Sequence, residues 1–126
     1  MRGDFLKKDK KVLIVEDNFL VALTLEQMVS KLGFLVVDKV SSGEEAISVT
    51  KTLGPDVILM DIKLNGEING IEALLKIQET KSIPAVYISA NSDKIKQRDL
   101  CETDYIEFLT KPVLLPELKR VFKQLP

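Results

Sequence analysis

The chain contains no histidine, no tryptophan and only one cysteine among its 126 residues, and aromatic side chains make up just 6% of it. Each scarcity removes a class of chemistry. Without histidine there is no Ser-His-Asp or Cys-His nucleophile pair and no His-containing zinc site. Nor can the chain supply a phosphohistidine of its own. A lone Cys101 forbids an intramolecular disulfide, which fits a reducing compartment, and without CxxC context or a histidine to activate it the thiol reads as structural. A strong charge imbalance is also missing: the formal net charge is −1 and the pI about 5.5. Nucleic-acid affinity rests on clustered Lys and Arg, so no direct nucleic-acid binding by this domain is expected. No apolar run has the length of a membrane span and no N-terminal signal stretch is present, so the expected setting is cytoplasmic, with no membrane partner.

What is present suits one globular domain. Hydrophobic residues are 45% and charged residues 29% of the chain, enough to build a core and keep its surface solvated. We read residues 1–126 as a single domain, with 1–10 a poorly ordered lead-in. The basic run Lys7, Lys8, Lys10, Lys11, interrupted by Asp9, reads as a solvated face.

The order of hydrophobic periods carries the fold. Lys11–Val15, Val57–Met60 and Ala85–Ile88 are short, solidly apolar runs, as expected of strands covered on both faces. Phe34–Val40 and Ile106–Leu109 complete five strands. Helical patterns alternate with them: Phe19–Leu32 with Asn18 as N-cap and Gly33 as stop, 43–53, Ile71–Thr80, a weaker polar stretch over 92–101, and a last helix opened by Pro116. In the first helix Leu20, Leu23, Leu25, Met28, Val29 and Leu32 make a broad apolar stripe. Five β-α alternations imply an α/β fold, a doubly wound five-stranded parallel sheet with helices on both faces. In such a sheet function gathers at the carboxyl ends of strands, near the switch point in strand order.

Polar residues stand at four of those ends: Glu16-Asp17, Asp61, Ser89 and Lys111. Singly each is ordinary, since a strand-end Asp is usually a turn or a cap. Together they have complementary roles. Three neighbouring carboxylates repel one another unless a cation joins them, and oxygen-only ligands favour Mg²⁺ over zinc. A lysine suits a phosphate as a point charge, and a serine hydroxyl can donate to one. A carboxylate nucleophile surrounded in this way suits phosphoryl transfer.

The segments Val12 to Asn18, Asp56 to Ile62, Asn69-Gly70-Ile71-Glu72, Ser89-Ala90 and Thr110-Lys111-Pro112 resemble, in order and spacing, the signatures of response regulator receiver domains of two-component signalling. The resemblance covers about residues 10–125 and implies a flavodoxin-like (βα)5 sandwich. It implies that Asp61 accepts a phosphoryl group from the phosphohistidine of a sensor histidine kinase or histidine phosphotransfer protein. Mg²⁺ would be held by Glu16, Asp17, Asp61 and the backbone carbonyl of Lys63. Ser89 and Lys111 would bind the phosphoryl group, and Phe108 would occupy the aromatic switch position. A homodimer or effector contact would use the fourth helix, fifth strand and fifth helix. Such a domain assists its own phosphotransfer and dephosphorylation and is otherwise not an enzyme.

Several features depart from the commoner pattern. The acidic pair is Glu-Asp, Ser89 stands where threonine is common, and Phe108 stands where tyrosine is common. Glu102-Thr103-Asp104-Tyr105 replaces a small Gly-Ala turn. Val113-Leu114-Leu115-Pro116 is unusually apolar, suiting either a partner surface or core. The alternative reading is a receiver-like interaction module that works without phosphorylation. An aspartyl-phosphate phosphatase would want an acid at position 63, which is lysine. A flavodoxin-type cofactor site would want a hydroxyl- and glycine-rich loop where Glu16-Asp17-Asn18 stands. The output, and whether the domain works alone or within a longer protein, stay open.

Overall fold

The computed structural model describes residues 10–90, 95 and 97–125. The expected lead-in therefore lies outside the described residues except for Lys10, as does most of 92–96 in the expected fourth helix. The strands are β1 (Lys11–Val15), β2 (Leu35–Val40), β3 (Val57–Asp61), β4 (Ala85–Ser89) and β5 (Tyr105–Thr110). The helices are α1 (Phe19–Lys31), α2 (Gly43–Leu53), α3 (Gly70–Gln78), α4 (Gln97–Cys101) and α5 (Leu115–Phe122). All pairings are parallel and the sheet order is β2-β1-β3-β4-β5. The doubly wound fold expected from the sequence is thus the observed one. Most strand and helix ends differ from expectation by a residue or two, where terminal turns fray; the fourth helix, expected from about 92, begins at Gln97, with Ile95 outside it.

Alternation within each strand divides the core. Leu13, Val15, Ile58, Met60, Ala85 and Tyr87 face the layer of α2, α3 and α4 and meet Ala46, Leu74 and Leu100. Val12, Ile14, Val57, Leu59, Val86 and Ile88 face α1 and α5 and meet Leu25, Val29, Leu118 and Phe122. Because side chains of a strand alternate between faces, a run apolar at every position must be covered twice. Burying each large side chain contributes about 1.5–3 kcal/mol against the entropy of ordering it.

Helix starts follow local chemistry. Asn18 Oδ1 accepts from the Val21 amide at 3.1 Å. Asn69 and Glu72 form a reciprocal capping box, at 2.8 and 2.9 Å, satisfying two amides that an N-terminus otherwise leaves without partners. The apolar stripe of α1 is broader than the face it buries. Ala22, Leu25 and Val29 pack inward, whereas Phe19 and Leu20 are 71% and 70% exposed.

Tyr87 is fully buried in the β4 layer and its hydroxyl lies 2.8 Å from Thr103 Oγ1. Burial pushes its phenol up to about 12. An unfolded tyrosine ionises near pH 10. Between about pH 10 and 12 the unfolded chain therefore loses this proton first, and folding stability falls by up to about 1.4 kcal/mol per pH unit. We expect Tyr87→Phe to lose less stability than the parent between pH 9 and 11 in urea unfolding. Equal losses in the two proteins would sink the assignment.

Candidate functional site

The switch in strand order lies between β1 and β3, which start crossovers in opposite directions. Val15 pairs with Met60 in register, so the residues that follow these strands emerge side by side. Glu16, Asp17 and Asp61 offer carboxylate oxygens within 4.8 Å of one another. Glu16 and Asp61 are each only 3% exposed, and Asp17 is half-buried. The Glu16 amide bonds the Val40 carbonyl at 2.9 Å, and Glu16 Oε2 accepts from the Asn18 amide at 3.0 Å. The start of α1 thereby orients the first carboxylate.

Lys111 reaches this cluster from the end of β5. Its ammonium donates to Asp61 Oδ2 at 3.0 Å and lies 2.9 Å from Glu16 Oε1. The latter contact is an ion pair without hydrogen-bond alignment, so Glu16 Oε1 is buried with no directed donor among the described residues. The Lys111 amide donates to the Ser89 carbonyl at 2.8 Å, tying the ends of β4 and β5 together. The Lys111-Pro112 peptide is cis. Ser89 is buried, and its hydroxyl lies 3.4 Å from the Ala90 carbonyl.

In these contacts three carboxylates thus meet one ammonium, and the cluster is rich in negative charge. Burial raises the Asp61 pKa, and the opposing pull of Lys111 does not cancel it. Burial, then the neighbouring Glu16, raises the Asp17 pKa as well. For Lys111, burial works to lower the pKa, but Glu16 and Asp61 outweigh it and hold the pKa above its usual value. A small divalent cation matches both the excess charge and the all-oxygen donor set. Glu16, Asp17 and Asp61 fit Mg²⁺ on those grounds.

The structure therefore brings together Glu16, Asp17, Asp61 and Lys111, with Ser89 at the adjoining strand end. Lys63 is exposed, two residues past Asp61. Phe108 lies opposite Tyr87, two residues before the Ser89–Thr110 pair, and packs against the α2-α3-α4 side of the core. Two further contributors carried no readable signal of role. Asn18 places Glu16 through its backbone amide, which side-chain identity does not reveal. Gly70 lies against the Asp61 backbone: a Cβ there would overlap the Asp61 carbonyl oxygen and stand 2.8 Å from Met60 Cγ. Its amide donates to the Ile62 carbonyl at 2.7 Å.

The apolar segment before α5 is neither wholly exposed nor wholly packed. Leu114 is 58% exposed, while Val113 lines an open apolar groove of about 490 Å³ with Leu20, Met28, Ile88 and Pro112. Lys111, which pairs with the acidic cluster, also lines this groove.

Comparison with known proteins agrees with this geometry. The family model described as response regulator receiver domain matches residues 12–123. A protein-glutamate methylesterase/protein-glutamine glutaminase of Archaeoglobus fulgidus is 34% identical over 81% of this chain and 30% of its own length. The chemotaxis protein CheY of Thermotoga maritima is 30% identical over 82% of this chain and 86% of its own. The receiver domain of a Pseudomonas aeruginosa sensor histidine kinase, solved with a magnesium ion coordinated in its active site cleft, superposes with a TM-score of 0.81. It is 26% identical over 93% of this chain and 97% of that one. The chain spans about half or less of the length of the first curated relatives it matches.

Proposed function

This chain belongs to the response regulator receiver domain family, and from that membership we propose that residues 1–126 form one receiver domain whose phosphoryl acceptor is Asp61. The observation that carries the reading is the Lys111 ammonium bridging two buried carboxylates, Asp61 and Glu16, beside Asp17.

In the proposed reaction an Asp61 carboxylate oxygen attacks the phosphorus of a phosphohistidine. The P–O bond forms as the P–N bond breaks, and the imidazole leaves and takes a proton. Burial weakens the solvation of the Asp61 carboxylate, and the Lys111 contact fixes one of its oxygens. Glu16, Asp17, Asp61 and the Lys63 carbonyl would hold Mg²⁺, which when bound neutralises phosphoryl charge. The product carries about −1.5 to −2 charge, by comparison with phosphoserine. Lys111, with three donors and no acceptor, can then serve phosphoryl oxygens instead of carboxylates. Ser89 can donate its hydroxyl to the same group. Ser89 ends β4 and Lys111 directly follows β5, and a backbone bond joins the two, so the new contacts bias β5 and the start of α5 between two arrangements.

A donor must bring its phosphohistidine to this edge. Exposed Leu20, which lines the groove together with Lys111, and exposed Phe19 and Leu114, next to groove residues in sequence, offer apolar area for a donor helix there. The α4-β5-α5 face is proposed for a second copy or an effector.

Incubation with acetyl phosphate and Mg²⁺ tests the acceptor. One phosphoryl group should appear in the intact mass and be removed by hydroxylamine, as expected of an acyl phosphate. Absence of the adduct would overturn the reading. With Lys111→Ala the adduct still forms, more slowly, but backbone amide shifts of β5 and α5 stay at their unphosphorylated values. Full propagation of those shifts in the variant would remove Lys111 from the switch.

A further inference from the structure

The corner between α4 and β5 is held from three sides by groups that the phosphoryl site does not use. Thr103 closes α4: its amide donates to the Leu100 carbonyl at 3.0 Å and its hydroxyl donates to the same oxygen at 2.8 Å. That hydroxyl has one proton, so the 2.8 Å contact with Tyr87 places the Tyr87 proton in the bond as donor. Both partners are buried, Tyr87 fully and Thr103 to 7% exposure, where an unmade hydrogen bond is costly. The next residue is gripped from the opposite direction. Gln78, near the end of α3, donates through Nε2 to the Asp104 carbonyl at 2.9 Å and accepts through Oε1 from the Asp104 amide at 2.9 Å. The same Nε2 also donates to the Ile83 carbonyl at 3.0 Å. One amide side chain thus joins the loop before β4 to the loop before β5, imitating a strand neighbour.

This arrangement stands where the sequence lacks the small turn commoner in the family. Tyr87 shares its strand face with Ser89, two residues along, and pairs with Phe108 on β5. The anchored corner is therefore the fixed end of the very elements whose other end adjoins Asp61.

We propose that Tyr87 and Gln78 make Thr103–Asp104 a fixed pivot, so that changes coupled to Asp61 phosphorylation displace the carboxyl ends of β4 and β5 while the α4–β5 corner stays in place. The inference rests on Asp61 being the acceptor. Its consequence is that partners sense the edge of the sheet near Lys111, and the amino edge around Gln78 and Asp104 does not report the phosphorylation state.

The test is amide hydrogen exchange by NMR on the whole chain with Mg²⁺, with and without beryllofluoride, adduct formation being followed by fluorine NMR. In the parent, the Thr103 and Asp104 amides should exchange at the same rate in both states, while those of Leu109 to Lys111 change. Gln78→Ala should speed Asp104 exchange roughly fivefold or more, the effect of one lost hydrogen bond, and make it sensitive to beryllofluoride. Tyr87→Phe should do the same at Thr103, and it keeps the ring that fills the core. Formation of the adduct with altered Thr103 and Asp104 exchange in the parent overturns the pivot alone. Failure of any adduct to form overturns the acceptor assignment, and the pivot with it.

Discussion

Asp61→Asn is expected to take up no phosphoryl group from acetyl phosphate and Mg²⁺ and, without Mg²⁺, to unfold at a higher temperature than the parent. The loss is complete because the amide oxygen is not a nucleophile of comparable strength and leaves no acyl phosphate. The gain in stability follows from the electrostatics. Burial raises the Asp61 pKa in spite of Lys111. The unfolded chain therefore releases this proton at lower pH than the folded one, and stability is lost as pH rises through that range. Above the folded-state pKa the full cost is present, and asparagine removes it. Lys111 keeps Glu16 at 2.9 Å, so its charge is not stranded. A bound cation should do for the parent what the amide does for the variant. At a Mg²⁺ concentration about one hundred times Kd, the parent gains roughly 2.7 kcal/mol, or on the order of 10 °C in Tm, and the variant gains less. Intact-mass measurement and thermal melts with and without Mg²⁺ check both halves. An adduct on the variant at the parent's stoichiometry would move the acceptor elsewhere.

Gly70→Ala should combine a stability loss of about 2–4 kcal/mol with at least a tenfold slower phosphorylation by acetyl phosphate. The added Cβ would overlap the Asp61 carbonyl oxygen and stand 3.0 Å from the Asp61 carbonyl carbon. Relief has to come from backbone. β3 is paired on one side with β1 and on the other with β4, and it is buried along its whole length. The start of α3 yields more easily, which breaks the Gly70–Ile62 bond at 2.7 Å and shifts the loop that holds Lys63. Urea unfolding and adduct kinetics give the two numbers separately. An alanine variant that labels at the parent's rate would show that α3 can retreat without disturbing Asp61.

Much of the fold was legible because burial on two faces leaves a one-dimensional trace. Val12 to Val15 and Val57 to Met60 are apolar at every position, which a half-exposed strand does not permit. Helix boundaries were legible too: Asn18, Gly33 and Pro116 act through local backbone chemistry. The apolar stripe of α1 was less informative. Leu20 and Leu25 are equally apolar in sequence, yet one is 70% and the other 2% exposed, since a helix's own periodicity does not say how wide a face its neighbours cover. Val113 to Pro116 was ambiguous for the same reason, and the structure divides that segment between groove and solvent.

The sequence by itself determined the succession of strands and helices and put Glu16, Asp17, Asp61, Ser89 and Lys111 at strand ends, because periodicity and capping are properties of neighbouring residues. Only the tertiary structure decided that Lys111 bridges Glu16 and Asp61, that Gly70 presses on the acceptor's backbone, and that Tyr87 and Gln78 grip the corner before β5. Those contacts join segments far apart in the chain. Their distances are set by sheet register and by how the helices seat on it, which no local pattern encodes.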